Sequence, residues 1–265
     1  MALAASLSAC STTGPLLERV AGDGGANASA PPGAVVRADM SLQYQITGTL
    51  DETVDADLFV VDLFDSTAEQ VSALHAKKRV VMAYVSVGSL ENWRDDASRF
   101  PVAAVGMPLD GYPDESWLDV RDTEVRALMD ARFSLVRQKG FDGLFASTLG
   151  AYKVSSGFPL TRADELDYDG FLSSAAHTRG LRIGLSGDFE MASDLAGSFD
   201  WALAIGCIAQ SFCDELAPLR GHGLAVFDLE SDSSDHAAVC KQAAASGLPV
   251  TFKRAQYDAF RAVCP

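Results

Sequence analysis

The chain has 265 residues and a formal net charge of −15, from 36 acidic and 21 basic residues. This length suits one large domain and is common among α/β barrels. The acidic balance argues against a nucleic-acid partner, because phosphates need a basic surface, and it would suit a cationic ligand. No apolar run approaches the roughly 20 residues that span a bilayer.

The N-terminus carries a possible export signal. Leu7-Ser8-Ala9-Cys10 follows an apolar start and reads like the lipobox of a bacterial lipoprotein, with lipid expected on Cys10. The charged region that opens a secretory signal is missing, so we interpret residues 1–9 as a truncated signal segment; a chance match is the alternative. Residues 10–36, rich in Gly, Ala, Ser and Pro, are typical of a flexible tether. We therefore expect a lipoprotein of the bacterial cell envelope, or an extracellular protein, that meets the membrane only through lipid.

The remaining cysteines also favour export. Besides Cys10 there are Cys207, Cys213, Cys240 and Cys264, an even number that suits an oxidising compartment. Cys207 and Cys213 could clip one loop, and Cys240 and Cys264 could tie the last helix to the helix before it. The histidines show no ligand spacing, so neither a metal site nor a cofactor is predicted; they are His75, His177, His222 and His236.

Strand-like and helix-like stretches alternate along the chain, which predicts a mostly parallel sheet covered by helices. Eight strands are predicted, at 42–46, 58–62, 79–85, 141–145, 182–185, 201–205, 224–229 and 249–252. Helices are predicted at 68–76, 124–139, 162–179, 192–199 and 234–246. This order favours a single-domain (β/α)8 barrel over residues 37–265, with a doubly wound open sheet as the alternative.

Two loops stand where barrel enzymes keep their active sites, after the carboxyl ends of strands. A long insert rich in Pro and Gly, residues 88–121, follows the third predicted strand. The fourth predicted strand, 141–145, runs into Ala146, Ser147 and Thr148. It therefore has the frame of a catalytic strand without an acid at its end.

Several strings carry a family resemblance when they are taken together. They are DLFVVDLFD (57–65), MAYVSVGSLENWRDDASRFP (82–101), PLDGYPDESWLDVR (108–121), KGFDGL (139–144), GFPLT (157–161), FDWAL (199–203) and CIAQSFC (207–213). They resemble glycoside hydrolase family 114, the endo-α-1,4-polygalactosaminidases, over about 42–264. The resemblance implies a (β/α)8 barrel, export, and a polymer of galactosamine as ligand. The ammonium group of de-acetylated galactosamine would give the acidic surface a purpose.

The sequence departs from the family where the chemistry is expected. Glycosidases of this kind need two carboxyl groups flanking the bond. The family's D-G-V-E-P-D-N run reads DGLFAST here, which puts Phe145 at the glutamate place and Ser147 at the aspartate place. The W-A-L-N-E-x-C run reads WALAIGC, with Ile205 at the glutamate place, and a K-N-D run has become Ser186-Gly187-Asp188. Three strand ends have changed together, which favours a pseudoenzyme.

Acidic and aromatic side chains nevertheless remain on the expected upper rim, where sugars could stack on the rings. The candidate ligand-binding residues are Asp62, Tyr84, Glu91, Trp93, Arg94, Tyr112, Trp117, Asp119, Tyr152, Asp188, Glu230 and Lys253. Asp62 and Glu230 end their strands and form the fallback acid pair. Structural roles compete for other residues: Asp65 as a helix cap, Asp119 paired with Arg121, Asp142 on backbone amides, and Trp201 in the core.

The sequence thus predicts an exported, lipid-anchored, monomeric barrel. It would bind an amino-sugar polysaccharide, with hydrolysis lost or strongly impaired. One alternative is an active polygalactosaminidase, or a related glycosidase, with a relocated carboxylate pair. Another is a cell-envelope scaffold with no role in sugar binding.

Overall fold

The computed structural model describes residues 34–265, so the Leu7–Cys10 signal and most of the predicted tether lie outside the described residues. The strands are β1 (Leu42–Gln45), β2 (Leu58–Asp62), β3 (Val80–Ser86), β4 (Ser89–Glu91), β5 (Val105–Leu109), β6 (Tyr112–Leu118), β7 (Gly143–Ser147), β8 (Arg182–Leu185), β9 (Trp201–Ile205), β10 (Ala225–Ser231), β11 (Val250–Lys253) and β12 (Ala262–Val263).

One curled sheet forms the barrel, in the order β1-β2-β3-β7-β8-β9-β10-β11-β12. Its first eight strands pair in parallel and in chain order. A doubly wound sheet would reverse its strand order at a switch point, and this sheet does not. The predicted (β/α)8 barrel is confirmed.

The insert after β3 folds into a small sheet of its own. β4, β6 and β5 pair antiparallel in that order. Because the insert leaves the barrel at the carboxyl end of β3, it extends the wall of the barrel's upper face. The sequence predicted the insert but not its strands.

The helices are α1 (Ala68–Ala76), α2 (Thr123–Gln138), α3 (Arg162–His177), α4 (Ala192–Leu195), α5 (Ala217–Gly221) and α6 (His236–Ser246). Side chains of Thr67, Asp122 and Thr161 cap the first three helices and satisfy free amides of the first turn. Thr67, in a capping box with Gln70, is the cap of α1, so the interpretation of Asp65 as that cap is wrong. α4 ends earlier than predicted, and α5 was not predicted.

Alternation along the strands produces two apolar layers. One fills the barrel, where the rings of Phe145 and Trp201 pack at a tilt with centroids 5.6 Å apart and Tyr44 meets Phe145 edge-on at 5.9 Å. The other packs between sheet and helices. Trp201 is fully buried, as its core interpretation predicted. Asp142 also has its predicted structural role, because its Oδ2 accepts from the Val81 amide at 2.8 Å.

Side chains and the C-terminal tail bridge the seam, the junction of β1 with β11. Thr251 Oγ1 donates to the Leu42 carbonyl at 3.4 Å, and Arg261 Nε donates to the same oxygen at 2.7 Å. β12 pairs antiparallel with β11, and a disulfide joins Cys240 on α6 to Cys264 in the tail. The tail therefore fixes the closure of the barrel.

Both predicted disulfide pairings are confirmed. Cys207–Cys213 clips the loop after β9. Cys240–Cys264 differs from the prediction in one respect, since Cys264 follows a short strand and does not lie in a helix. Among residues 34–265, no helix is both long and apolar enough to cross a bilayer.

Candidate functional site

A cleft of about 840 Å³ opens at the carboxyl ends of the barrel strands, under the insert sheet. Six of the predicted ligand-binding residues line it: Asp62, Tyr84, Glu91, Trp93, Arg94 and Tyr112. Both altered strand-end positions, Ser147 and Ile205, line it as well. A slightly larger cavity, of about 940 Å³, lies at the opposite end beside α6 and the tail, and none of the predicted ligand-binding residues line it.

A buried arginine organises the acids of the cleft floor. Arg94 holds Asp62 through two hydrogen bonds of 2.9 and 2.6 Å, and it holds Glu91 through two of 2.9 and 2.8 Å. The three side chains are between 3% and 6% exposed. Burial alone would lower the pKa of Arg94, but the bonds to Glu91 and Asp62 outweigh burial and raise it. The guanidinium therefore stays charged and ties up both carboxylates.

Asp62 carries two further hydrogen bonds. Its Oδ1 accepts from the backbone amides of Phe64 and Asp65, at 2.8 and 3.0 Å. Asp62 therefore holds the loop after β2 in place, with its oxygens bonded to the Arg94 guanidinium and to two backbone amides.

Glu115 is the acid of the cleft that sequence reasoning missed. It is buried in β6, directly across from Glu91 on β4. Ser89 Oγ donates to its Oε2 at 2.7 Å, and burial outweighs this bond and raises the pKa of Glu115. The sequence offered one faint signal: two adjacent acids, Asp114 and Glu115, lie between the aromatic residues of the YPDESW string. The raised pKa of Glu115 favours its protonated form.

The two altered positions face the interior of the barrel. Ser147 ends β7, two residues after the interior Phe145, and Ile205 ends β9, two residues after the interior Leu203. Side chains alternate along a strand, so both point to the cleft. The side chain of Ser147 carries no carboxyl group. Ile205, which is 38% exposed, has no group that exchanges a proton.

Aromatic side chains form the rim. Trp93 is 54% and Tyr112 is 55% exposed, although both are large and partly apolar. Deeper in the cleft lie Tyr44, Tyr84 and Tyr257. Exposed rings beside a polar floor are an arrangement that suits stacking against sugar faces.

Glu230 lies outside this cleft, so the structure does not bring it together with Asp62. Phe227 and Leu229 of β10 point into the barrel, which turns Glu230 outward. Its Oε1 accepts from the amides of Ile208 and Ala209 at 3.0 Å each, inside the clipped loop. The geometry gives Glu230 a structural contact to the disulfide loop.

The other predicted residues also have partners away from the cleft. Asp119 pairs with Arg121 at 2.8 Å, as its structural interpretation predicted. Lys253 donates to the carbonyls of Asp258 (2.7 Å) and Phe260, and burial lowers its pKa to about 8. Tyr152 donates to Glu190. The last two predicted ligand-binding residues also lie outside the cleft. Trp117 packs against the outer apolar layer, and Asp188 is buried beside Lys153.

Comparison with known proteins relates this barrel to a glycoside-hydrolase family. The model of glycoside-hydrolase family GH114 matches residues 24–265. Ega3 of Aspergillus fumigatus, crystallised in complex with galactosamine, is 28% identical, with a TM-score of 0.82 over 86% of this chain and 96% of that one. The glycoside hydrolase domain of PelA from Pseudomonas aeruginosa is 16% identical, with a TM-score of 0.66 over 84% of this chain and 97% of that one, and supports the fold.

A search among curated proteins found no match. The family match, by contrast, spans the whole barrel, including the cleft, the insert and the clipped loop. The chain belongs to glycoside-hydrolase family GH114.

Proposed function

We propose that this protein binds an amino-sugar polysaccharide of the galactosamine type in the cleft, with hydrolysis lost or strongly impaired. Family membership and the likeness to Ega3, which was crystallised with galactosamine, support the ligand class. The cleft contributes a charge argument of its own. It is lined by the carboxyl groups of Asp62, Asp65, Glu91 and Glu115 against the guanidinium of Arg94. An excess of acids favours a ligand that carries ammonium groups.

The observation that carries the loss of hydrolysis is the pair of side chains at the ends of β7 and β9. Ser147 and Ile205 line the cleft where carboxyl groups would have to flank the bond. Two of the remaining carboxylates, Asp62 and Glu91, are tied to Arg94. General acid or base catalysis contributes roughly 10²–10⁴ in rate for each group. We therefore expect the cleft to bind the polysaccharide while hydrolysing it slowly or not at all.

Calorimetric titration with oligogalactosamine tests the binding. We expect saturable binding that weakens about fivefold in Trp93→Ala, because a stacked ring contributes about 1 kcal/mol. Val154→Ala is the matched control, since Val154 is an exposed apolar residue that does not line the cleft. Wild-type protein without affinity, or a Trp93→Ala variant that binds as tightly as wild type, would refute the proposal.

One observation favours a second candidate, an active glycosidase with a relocated acid. Glu115 is buried, has a raised pKa and lines the cleft, so it has the properties of a general acid. Release of reducing ends from α-linked galactosamine polymers, abolished in Glu115→Gln, would establish this candidate. A wild-type protein that binds the polymer without releasing ends would exclude it.

We further propose that the protein is exported and held at the bacterial cell envelope by lipid on Cys10. The LSAC string and the two disulfides support this location. Radiolabelled palmitate should enter the wild-type protein in bacterial cells and not the Cys10→Ser variant. Equal labelling of the two proteins, or none in either, would count against the anchor.

A further inference from the structure

Three acidic side chains meet in a buried cluster beside the barrel, apart from the cleft acids. Glu165 and Asp169 lie one turn apart on α3, and Asp188 follows β8. Each offers a carboxylate oxygen within 4.8 Å of the other two. All three residues are at most 1% exposed. Three carboxyl groups gathered away from water need compensation.

The compensation within residues 34–265 is incomplete. The Gly150 amide donates to Glu165 Oε1 at 3.0 Å, and Lys153 Nζ lies 3.0 Å from Asp188 Oδ1. Neither oxygen of Asp169 accepts a hydrogen bond from a described residue, and the same holds for Glu165 Oε2 and Asp188 Oδ2. Buried polar atoms are nearly always paired. Asp169, fully buried and directed into the cluster, therefore indicates a missing partner.

We propose that Glu165, Asp169 and Asp188 bind one calcium ion. The donors are all oxygens, which suits a hard cation and disfavours zinc or copper. Calcium bonds of 2.3–2.6 Å allow ligand oxygens on one ion to lie up to roughly 5 Å apart, so three oxygens within 4.8 Å of one another can share one such ion. Magnesium needs about 2.1 Å and keeps several waters, for which such a buried site is a poor host. Three carboxylates also outweigh the charge of one lysine.

Lys153 is the competitor of the ion. Its side chain is 40% exposed, and its ammonium also contacts Glu190 Oε1 at 3.0 Å. The lysine can therefore turn toward Glu190 and leave Asp188 to the metal. Removing its charge should strengthen calcium binding.

The site would join the two loops that bear altered cleft residues. Glu165 holds the Gly150 amide in the loop after β7, which also carries Thr148. Asp188 belongs to the loop after β8, which carries Ser186. Both Thr148 and Ser186 line the cleft. Calcium would thus be a structural ion that stiffens one wall of the cleft.

The test uses the intact protein, freed of metal by a chelator and titrated with calcium chloride by calorimetry and thermal unfolding. We expect one calcium per chain with a Kd of about 10⁻⁴ M, in the range of extracellular calcium modules. At 5 mM calcium, Tm should rise by about 5 °C. Magnesium should bind at least about tenfold more weakly.

Variants locate the ion. Asp169→Asn should abolish the calcium-dependent rise in Tm, whereas Asp167→Asn should keep it, since Asp167 lies on the same helix but is 71% exposed. Lys153→Gln should tighten binding severalfold. Absence of saturable binding in both wild type and Lys153→Gln would overturn the proposal and leave shared protons as the compensation. Binding that survives in folded Asp169→Asn would also overturn it. If that variant does not fold, the wild-type and Lys153→Gln titrations decide by themselves.

Discussion

Replacing Arg94 by methionine should destabilise the protein strongly, because the change keeps the bulk and removes the charge. Four hydrogen bonds to Asp62 and Glu91 are lost, and two carboxylates remain at 3–4% exposure without a counter-ion. Breaking a buried ion pair by removing one partner costs about 3–5 kcal/mol. For a domain of this size each kcal/mol lowers Tm by about 2–4 °C, so urea and thermal unfolding should both show the loss.

Two further variants make this prediction refutable. Arg121→Met removes a comparable pair with Asp119, but Arg121 is 38% exposed, so its loss should cost less than about 1 kcal/mol. The triple variant Asp62→Asn, Glu91→Gln, Arg94→Met removes all three charges of this buried group and should recover much of the stability. A loss below about 1 kcal/mol in Arg94→Met would refute the reasoning, and so would a triple variant no more stable than the single one.

Three other outcomes are expected. Ser147→Asp combined with Ile205→Glu should raise reducing-end release at least about 100-fold if only the acids were lost; a folded variant without gain would mean that the cleft has diverged further. Burial raises the pKa of Asp228 to about 7, above the roughly 3.9 of an unfolded chain. Its contribution to stability is therefore full below about pH 4 and is lost as the pH rises through about 7. In Asp228→Asn the urea midpoint should depend less on pH over that range than it does in wild type. The same pH dependence in both proteins would contradict this prediction. A Cβ on Gly184 would lie 2.2 Å from the indole of Trp201 on β9. Gly184→Ala should therefore lower the free energy of unfolding by about 1–3 kcal/mol, measured by thermal unfolding. Gly170→Ala is the control and should not destabilise, because a Cβ there would have nothing within 4 Å.

The barrel was predictable because its strands are buried runs with sharp ends. Bounds at 58–62, 182–185 and 201–205 match those of β2, β8 and β9. The insert strands escaped prediction because most residues of β5 and β6 are exposed or half-buried and each strand contains a proline, Pro108 or Pro113. Proline removes a ladder hydrogen bond and argues against a strand.

The site was predictable only in part. Strand ends and the insert pointed to Asp62, Glu91 and Arg94, but their pairing depends on contacts between distant segments. Glu230 looked like a strand end, yet β10 continues to Ser231 and alternation turns Glu230 away from the cleft. The sequence offered no sign that Glu165 and Asp169 of α3 are buried together with Asp188, because acids on a helix usually face water.

The seam has a consequence for how the protein is made. Thr251 and Leu42, which meet there, are 209 residues apart in sequence, so β1 is synthesised long before its closing partner. Its edge stays open during that interval, and an open strand edge is a template for wrong pairing. Correct closure must wait for the tail through Cys264 to emerge, and oxidation of the Cys240 and Cys264 thiols to a disulfide then fixes the closed barrel. If the chain is exported unfolded, the barrel would close only in the oxidising compartment where that disulfide forms.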